Sequence, residues 1–258
     1  MRALRALVAA LVAAVALPAA AIDLRVLSAG AVEPGIRPAL AAFERASGHS
    51  VAIAFAAAPA LREALRAPPV ADVVIVPQAA IDELAAIGGD VAGPRAPIGR
   101  VGVGVAVRSG VEPPDITSAE ALKATLLGAD VVVFNRASTG VLVEQMLQRL
   151  GVADAVNAKA VRVADGASVM RRLLAGSSQR EFGFAATTEI VLFHDRGVRF
   201  VGPLPASLQK TTTYVALPWP GVRPADPARA DAIGALMRHL QGPEARSQFA
   251  NAAIEPTP

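Results

Sequence analysis

The sequence predicts an α/β fold of two lobes joined by a pair of crossover strands. Apolar strands alternate with helix-period segments along most of the chain, the pattern of a parallel sheet covered on both faces. A Gly/Pro-rich passage, GGDVAGPRAPIG (88–99), interrupts the alternation, which then restarts. The last two helical segments have no strands of their own to cover, so the chain is expected to return to its first unit.

The elements follow in order. Arg2 and Arg5 precede an apolar run from Ala6 to Leu17 and a small-residue exit, PAAA. This is the pattern of a secretory signal, with cleavage expected after Ala21 and a periplasmic destination. LRVLSA (24–29) is the first strand, and Ile36, Leu40 and Phe43 place a helix over 34–46, stopped by Gly48. VAIAF (51–55) and ADVVIV (71–76) are strands, each followed by a helix, ALREALR (60–66) and QAAIDELAAIG (78–88). The second unit opens with RVGVGVAVR (100–108), and Thr117 with Glu120 has the spacing of a capping box. Then come DVVVFN (130–135), a helix over 139–150, KAVRVA (159–164), a helix over 168–176, and strands at 182–186 and 198–202. TTTYVALPW (211–219) is the returning strand, and helices follow Asp226-Pro227 and Gly242-Pro243. The expected lobes are 22–98 with 212–258, and 99–211, with ligand in the cleft at the strands' carboxyl ends.

Composition excludes several classes. The chain has no cysteine, so disulfides, thiolate chemistry and a lipid-anchoring cysteine are ruled out. Its net charge is +3, of which Arg2 and Arg5 contribute two, and no basic run interleaves with aromatics, so nucleic acid is not an expected partner. His49, His194 and His239 lack metal-ligand spacing and are read as surface or structural, and no metal or cofactor is expected. RASTG (136–140) holds a serine without the G-x-S-x-G elbow, so no catalytic residue is assigned.

Binding has better support. Four strands end in small or polar residues just before a helix: at Gly30-Ala31, Ala57-Ala58, Arg136 to Thr139 and Gly166-Ala167. Helix N-termini present free N–H groups and a positive dipole end, so such turns accept anions without a charged side chain. Arg136, Ser138 and Thr139 add a guanidinium and hydroxyls, and Thr187 and Thr188 could add more from their own turn. Asp72, Glu33 and Asp82 are read as surface or capping residues, and Tyr214 and Trp219 as core or hinge packing.

LRVLSAGAVEPGIRPALAAFERASGHSVAIAF, ADVVIVPQAAIDEL, GVGVAVRSG, ADGASVMRRLLAGSSQREFGFAATTEIV and GPEARSQFANA together resemble the periplasmic molybdate-binding proteins and other type II solute-binding proteins of ABC importers. The resemblance covers nearly the whole chain after residue 21. It implies a monomeric carrier that closes on a small anion and delivers it to an inner-membrane ABC permease without chemistry. Where that family usually offers hydroxyl donors, the matching positions here are Ala31, Ala58 and Ala186. A hydrogen bond to a charged partner contributes about 1.5–3 kcal/mol, so two lost serines alone would cost about 3–6 kcal/mol of binding. The expected ligand is a molybdate-like oxyanion, with a small organic carboxylate as the alternative. From another class, a secreted hydrolase would need a histidine beside Ser138, and a sensor domain feeding a membrane kinase is a third reading.

Overall fold

The computed structural model describes residues 21–66, 71–88, 91, 93–219 and 226–257, so all of the expected signal segment but Ala21 lies outside the described residues. β1 (Asp23–Ala29) pairs in parallel with β2 (Ser50–Ala56) along its whole length, and with β3 (Val73–Pro77) on its other edge. Val73 to Val76 are buried without alternation, because the sheet is covered on both faces.

α1 (Glu33–Ser47) lies between β1 and β2, α2 (Ala58–Ala64) follows β2, and α3 (Ile81–Gly88) follows β3. Ile36, Leu40 and Phe43 are buried on one face of α1, as their spacing dictates. Gly48 ends that helix at φ 74°, a left-handed conformation that glycine adopts without steric penalty.

β4 (Ala96–Arg108) joins the two halves of the sheet. Its residues 96–102 pair with β9 (Thr211–Pro218), and 103–108 pair with β7 (Glu181–Ala186) and β8 (Val198–Pro203). β5 (Val131–Asn135) runs parallel to β7 and β6 (Ala160–Val163). The path is β2-β1-β3-β9-β4-β7-β5-β6, with β8 beside β4. The expected lobe boundaries, 98 and 212, fall inside β4 and β9, the strands that carry the chain across.

The second half is covered by α4 (Ala119–Gly128), α5 (Ser138–Leu150), α6 (Ala153–Asn157), α7 (Gly166–Ala175) and α8 (Thr187–Val191). The expected Thr117 cap is shifted by one residue. The Ser118 side chain caps α4 by accepting from Ala121 N at 3.1 Å, while the Thr117 hydroxyl turns back to Asp115 at 2.7 Å. α6 and α8, five residues each, lie in segments where no helix was expected.

α9 (Pro227–Gln241) and α10 (Pro243–Asn251) return to the first half, where Leu236, Leu240 and Phe249 share one core with Leu40 and Phe43. Two further clusters fill the second half, one around Phe134, Leu147 and Phe184 and one around Met170 and Ile190. The protein is a two-lobed α/β fold with crossover strands between the lobes. Among the described residues, no helix is long and apolar enough to cross a membrane.

Asp72 departs from its expected surface role. It is 1% exposed at the start of β3 and takes hydrogen bonds from Arg229 Nε at 2.8 Å and Nη2 at 2.7 Å. The Arg25 N–H donates a third at 2.7 Å.

Candidate functional site

The turns at the carboxyl ends of the strands converge on a cavity of about 210 Å³ between the two halves. One wall comes from Gly30, Ala31 and Glu33 after β1, Phe55 to Ala57 at the end of β2, Leu61 and Arg62 on α2, and Val76, Pro77, Ala80 and Leu84. The other comes from Asn135, Ala137, Ser138 and Thr139 at α5, Asp165 to Ala167 at α7, Glu189 on α8, and Tyr214 on β9. The lining thus joins Gly30, Ala31, Ala57, Ser138, Thr139, Gly166 and Ala167 of the expected ligand residues.

Three expected residues are not part of it. Arg136 is exposed, and its peptide N–H continues the β5–β6 pairing by donating to Val163 O at 2.9 Å. Ala186 is buried in the core as the last residue of β7, and Thr187 opens α8 outside the lining. Ala58 is the first residue of α2, seven residues long. Thr188 has a different use: its hydroxyl donates to Ala31 O at 2.5 Å, tying α8 to the turn after β1.

Two helix ends meet the cavity in different states. Ala137, the N-cap of α5, makes no side-chain cap, so it leaves the Ser138 and Thr139 N–H groups uncapped at the cavity. The carbonyl oxygen of the Asn135 side chain accepts from Ala137 N and Gly140 N, both at 3.0 Å, and shapes this turn. The end of α7 is already occupied. The Asp165 carboxylate accepts from Ser168 N at 2.7 Å, and the Glu189 carboxyl accepts the Gly166 N–H.

Glu189 is the residue that sequence reasoning missed. It is the third residue of α8 and reaches back to the N–H of Ala186, the helix N-cap, as the glutamate of a capping box does. It is 9% exposed, and its carboxyl is pushed up to about 7. Burial is the main cause, and the nearby Asp165 and Glu33 charges add to it against the two N–H donors. Gly166 makes the room: a Cβ there would lie 2.0 Å from Glu189 Oε2, and one at Gly30 would lie 3.4 Å from Oε1. Gly166→Ala is therefore expected to destabilise the fold by about 1–3 kcal/mol through overpacking. The same substitution in a Glu189→Ala background should cost much less, and equal losses in the two backgrounds by thermal unfolding would refute the contact.

Tyr214 does more than pack. It is 1% exposed on β9 and belongs to the cavity lining, and its hydroxyl hydrogen-bonds the Ser138 hydroxyl at 3.1 Å, bridging to α5. Burial raises its pKa, so it stays a neutral phenol. Trp219 is buried in the core beside α2 and α3.

The hydrolase reading asked for a histidine beside Ser138, but the lining residues include no histidine, and the Ser138 hydroxyl is bonded to that of Tyr214. His239 instead bonds Ala39 O at 2.8 Å. Among the described residues, no cluster of three or more His, Asp or Glu is placed to hold a metal ion.

Residues 24–252 match the family of bacterial extracellular solute-binding proteins. The chain belongs to that family. Like other solute-binding proteins, it has two α/β lobes with a cleft at the strand ends. It is similar to an aconitate isomerase of a Pseudomonas species, at 30% identity over 243 residues, spanning 91% of this chain and 88% of that one. The fold matches the periplasmic molybdate-binding protein of Azotobacter vinelandii with TM-score 0.72 and 17% identity, over 91% of this chain and all of the other. It matches the sulfate-binding protein SubI of Mycobacterium tuberculosis with TM-score 0.68 and 16% identity, over 92% and 87%.

Proposed function

We propose that this solute-binding protein takes a small organic acid with more than one carboxyl group into its cleft and delivers it to an ABC permease. The observation that carries this reading is the occupied end of α7. Where the second lobe would offer an anion free N–H groups, the protein's own Glu189 and Asp165 carboxyls already sit. What a ligand can meet is the uncapped end of α5 on one wall and, on the other, Arg62, which also pairs with Glu83, with apolar surface between them. Separated anchors suit an extended polyacid better than a compact tetrahedral oxyanion, and Ala31 withholds a hydroxyl that an oxyanion would use. The similar aconitate isomerase acts, by its name, on such an acid. Export with cleavage after Ala21, a monomeric state and closure about β4 and β9 complete the proposal.

Thermal shift decides between ligand classes, with trans-aconitate and citrate on one side and molybdate and sulfate on the other. An acid at 100-fold its Kd stabilises the native state by about 2.7 kcal/mol, a rise in Tm of about 5–11 °C. Arg62→Ala should weaken acid binding about tenfold or more, as expected for losing a charged hydrogen bond of about 1.5–3 kcal/mol. Arg136→Ala should leave it unchanged, because that side chain is outside the cavity lining. A response to molybdate with none to the acids would overturn the reading.

A further inference from the structure

The carrier role leaves Glu189 unexplained. A buried carboxyl facing a cavity for anions repels its ligand when ionised, and a solute-binding site gains nothing from that. Yet the fold builds the position: α8 presents the side chain, the Ala186 and Gly166 N–H groups hold it, and Gly166 gives up its side chain beside it. The side chain lines the cavity rather than a closed interior. These are the supports of a proton-transfer group: fixed orientation, little water and contact with the ligand space.

We propose that Glu189 moves a proton on the bound acid, so that the protein isomerises an unsaturated polycarboxylic acid by shifting its double bond. The inference rests on the organic-acid reading above. The Glu189 carboxylate takes a hydrogen from the saturated carbon next to the double bond, so that a C–H bond breaks and an O–H bond forms. The electron pair left behind spreads over three carbons and onto the oxygens of an attached carboxylate. The Glu189 O–H then gives its proton to the far carbon, a new C–H bond forms, and the double bond rests one position along. Atoms and electrons balance without an oxidant, a reductant or water, and Glu189 ends as it began.

The other residues fit this step. Negative charge that builds on the acid's oxygens meets the free Ser138 and Thr139 N–H groups at the positive end of α5. The neutral Tyr214 hydroxyl, paired with Ser138, lies on the same wall. The charged groups of the lining around Glu189 are Asp165 at α7, Glu33 on α1 and Arg62 on α2. The two acids favour return of the proton, because they raise the affinity of Glu189 for it, and Glu189 is populated in both forms near neutral pH.

The experiment incubates the protein with the unsaturated tricarboxylate probe in D₂O and follows it by NMR. The expected result is a second isomer, with deuterium at carbon for whatever fraction of protons exchanges with solvent. The rate should rise with pH through about 7 as Glu189 ionises. Glu189→Gln should slow it by about 10²–10⁴-fold, the usual contribution of a general base, while still answering the probe in thermal shift. A stabilised parent protein that yields neither isomer nor deuterium overturns the proton transfer and leaves the binding reading intact. No stabilisation by the probe overturns both. Unchanged turnover in Glu189→Gln removes the role from this residue.

Discussion

Arg229→Ala is expected to lower Tm by roughly 6–20 °C, one of the largest losses available from a side chain far from the cavity. The Asp72 carboxylate is 1% exposed and is held by the paired bonds from Arg229 and one backbone N–H. Arg229 also donates to Asp23 O at 3.1 Å, so one guanidinium ties α9 to the starts of β1 and β3. Removing one partner of a buried pair leaves a charge without its counterion and costs about 3–5 kcal/mol. For a chain of this size each kcal/mol is worth roughly 2–4 °C. The double replacement Asp72→Leu with Arg229→Met removes both charges and should recover most of the loss. Circular dichroism melts of the three proteins check both statements, and a fall below about 2 °C for Arg229→Ala would show that solvent replaces the guanidinium.

The same pair shows where sequence reading stops. Asp72 and Arg229 are far apart in the chain, and each looks like an ordinary solvated charge. Only the return of the chain after β9 brings α9 against β3. That return was itself legible, because two amphipathic helices with no sheet of their own must borrow one. Period-2 and period-3.6 patterns likewise located β1, α1, β3 and α5 to within a residue or two. β4 starts earlier than its pattern suggests, at Ala96, because Pro97 and Gly99 straddle a register shift and disguise a strand whose Ala96 and Ile98 are buried.

At the site, the small residues were legible because backbone approach demands them, and charge was where the reading went astray. Arg136 drew attention by following a strand directly, yet its peptide stays in the sheet and its side chain points to solvent. Arg62 was not singled out in the sequence, though it lines the cavity and pairs with Glu83. Glu189 was hidden by α8, since five residues are too few to show a helical period. Its burial depends on Gly166, remote in sequence, whose missing side chain leaves room at the start of α7. Part of that room belongs to the protein's own carboxyl.

Glu189→Gln is expected to be more stable than the parent protein at pH 8 by up to about 3 kcal/mol, and the advantage should vanish in acid. The parent carboxyl has its pKa raised from 4.5 to about 7 in the fold, so the folded state prefers it protonated. Between those values the native protein holds a proton that the unfolded chain has released, and stability falls as pH rises. The loss begins near pH 4.5, is nearly complete once pH passes about 7, and approaches 1.36 kcal/mol for each unit of the shift. Glutamine has nearly the same shape, offers an oxygen to the Ala186 and Gly166 N–H groups, and never ionises. Its stability should therefore lack this component across the window, after subtraction of whatever other groups contribute equally to both proteins. Urea unfolding at pH 5, 6, 7 and 8 measures the difference directly. A constant difference between the two proteins over that range would show that Glu189 titrates normally, and that neither burial nor the Asp165 and Glu33 charges raise its carboxyl.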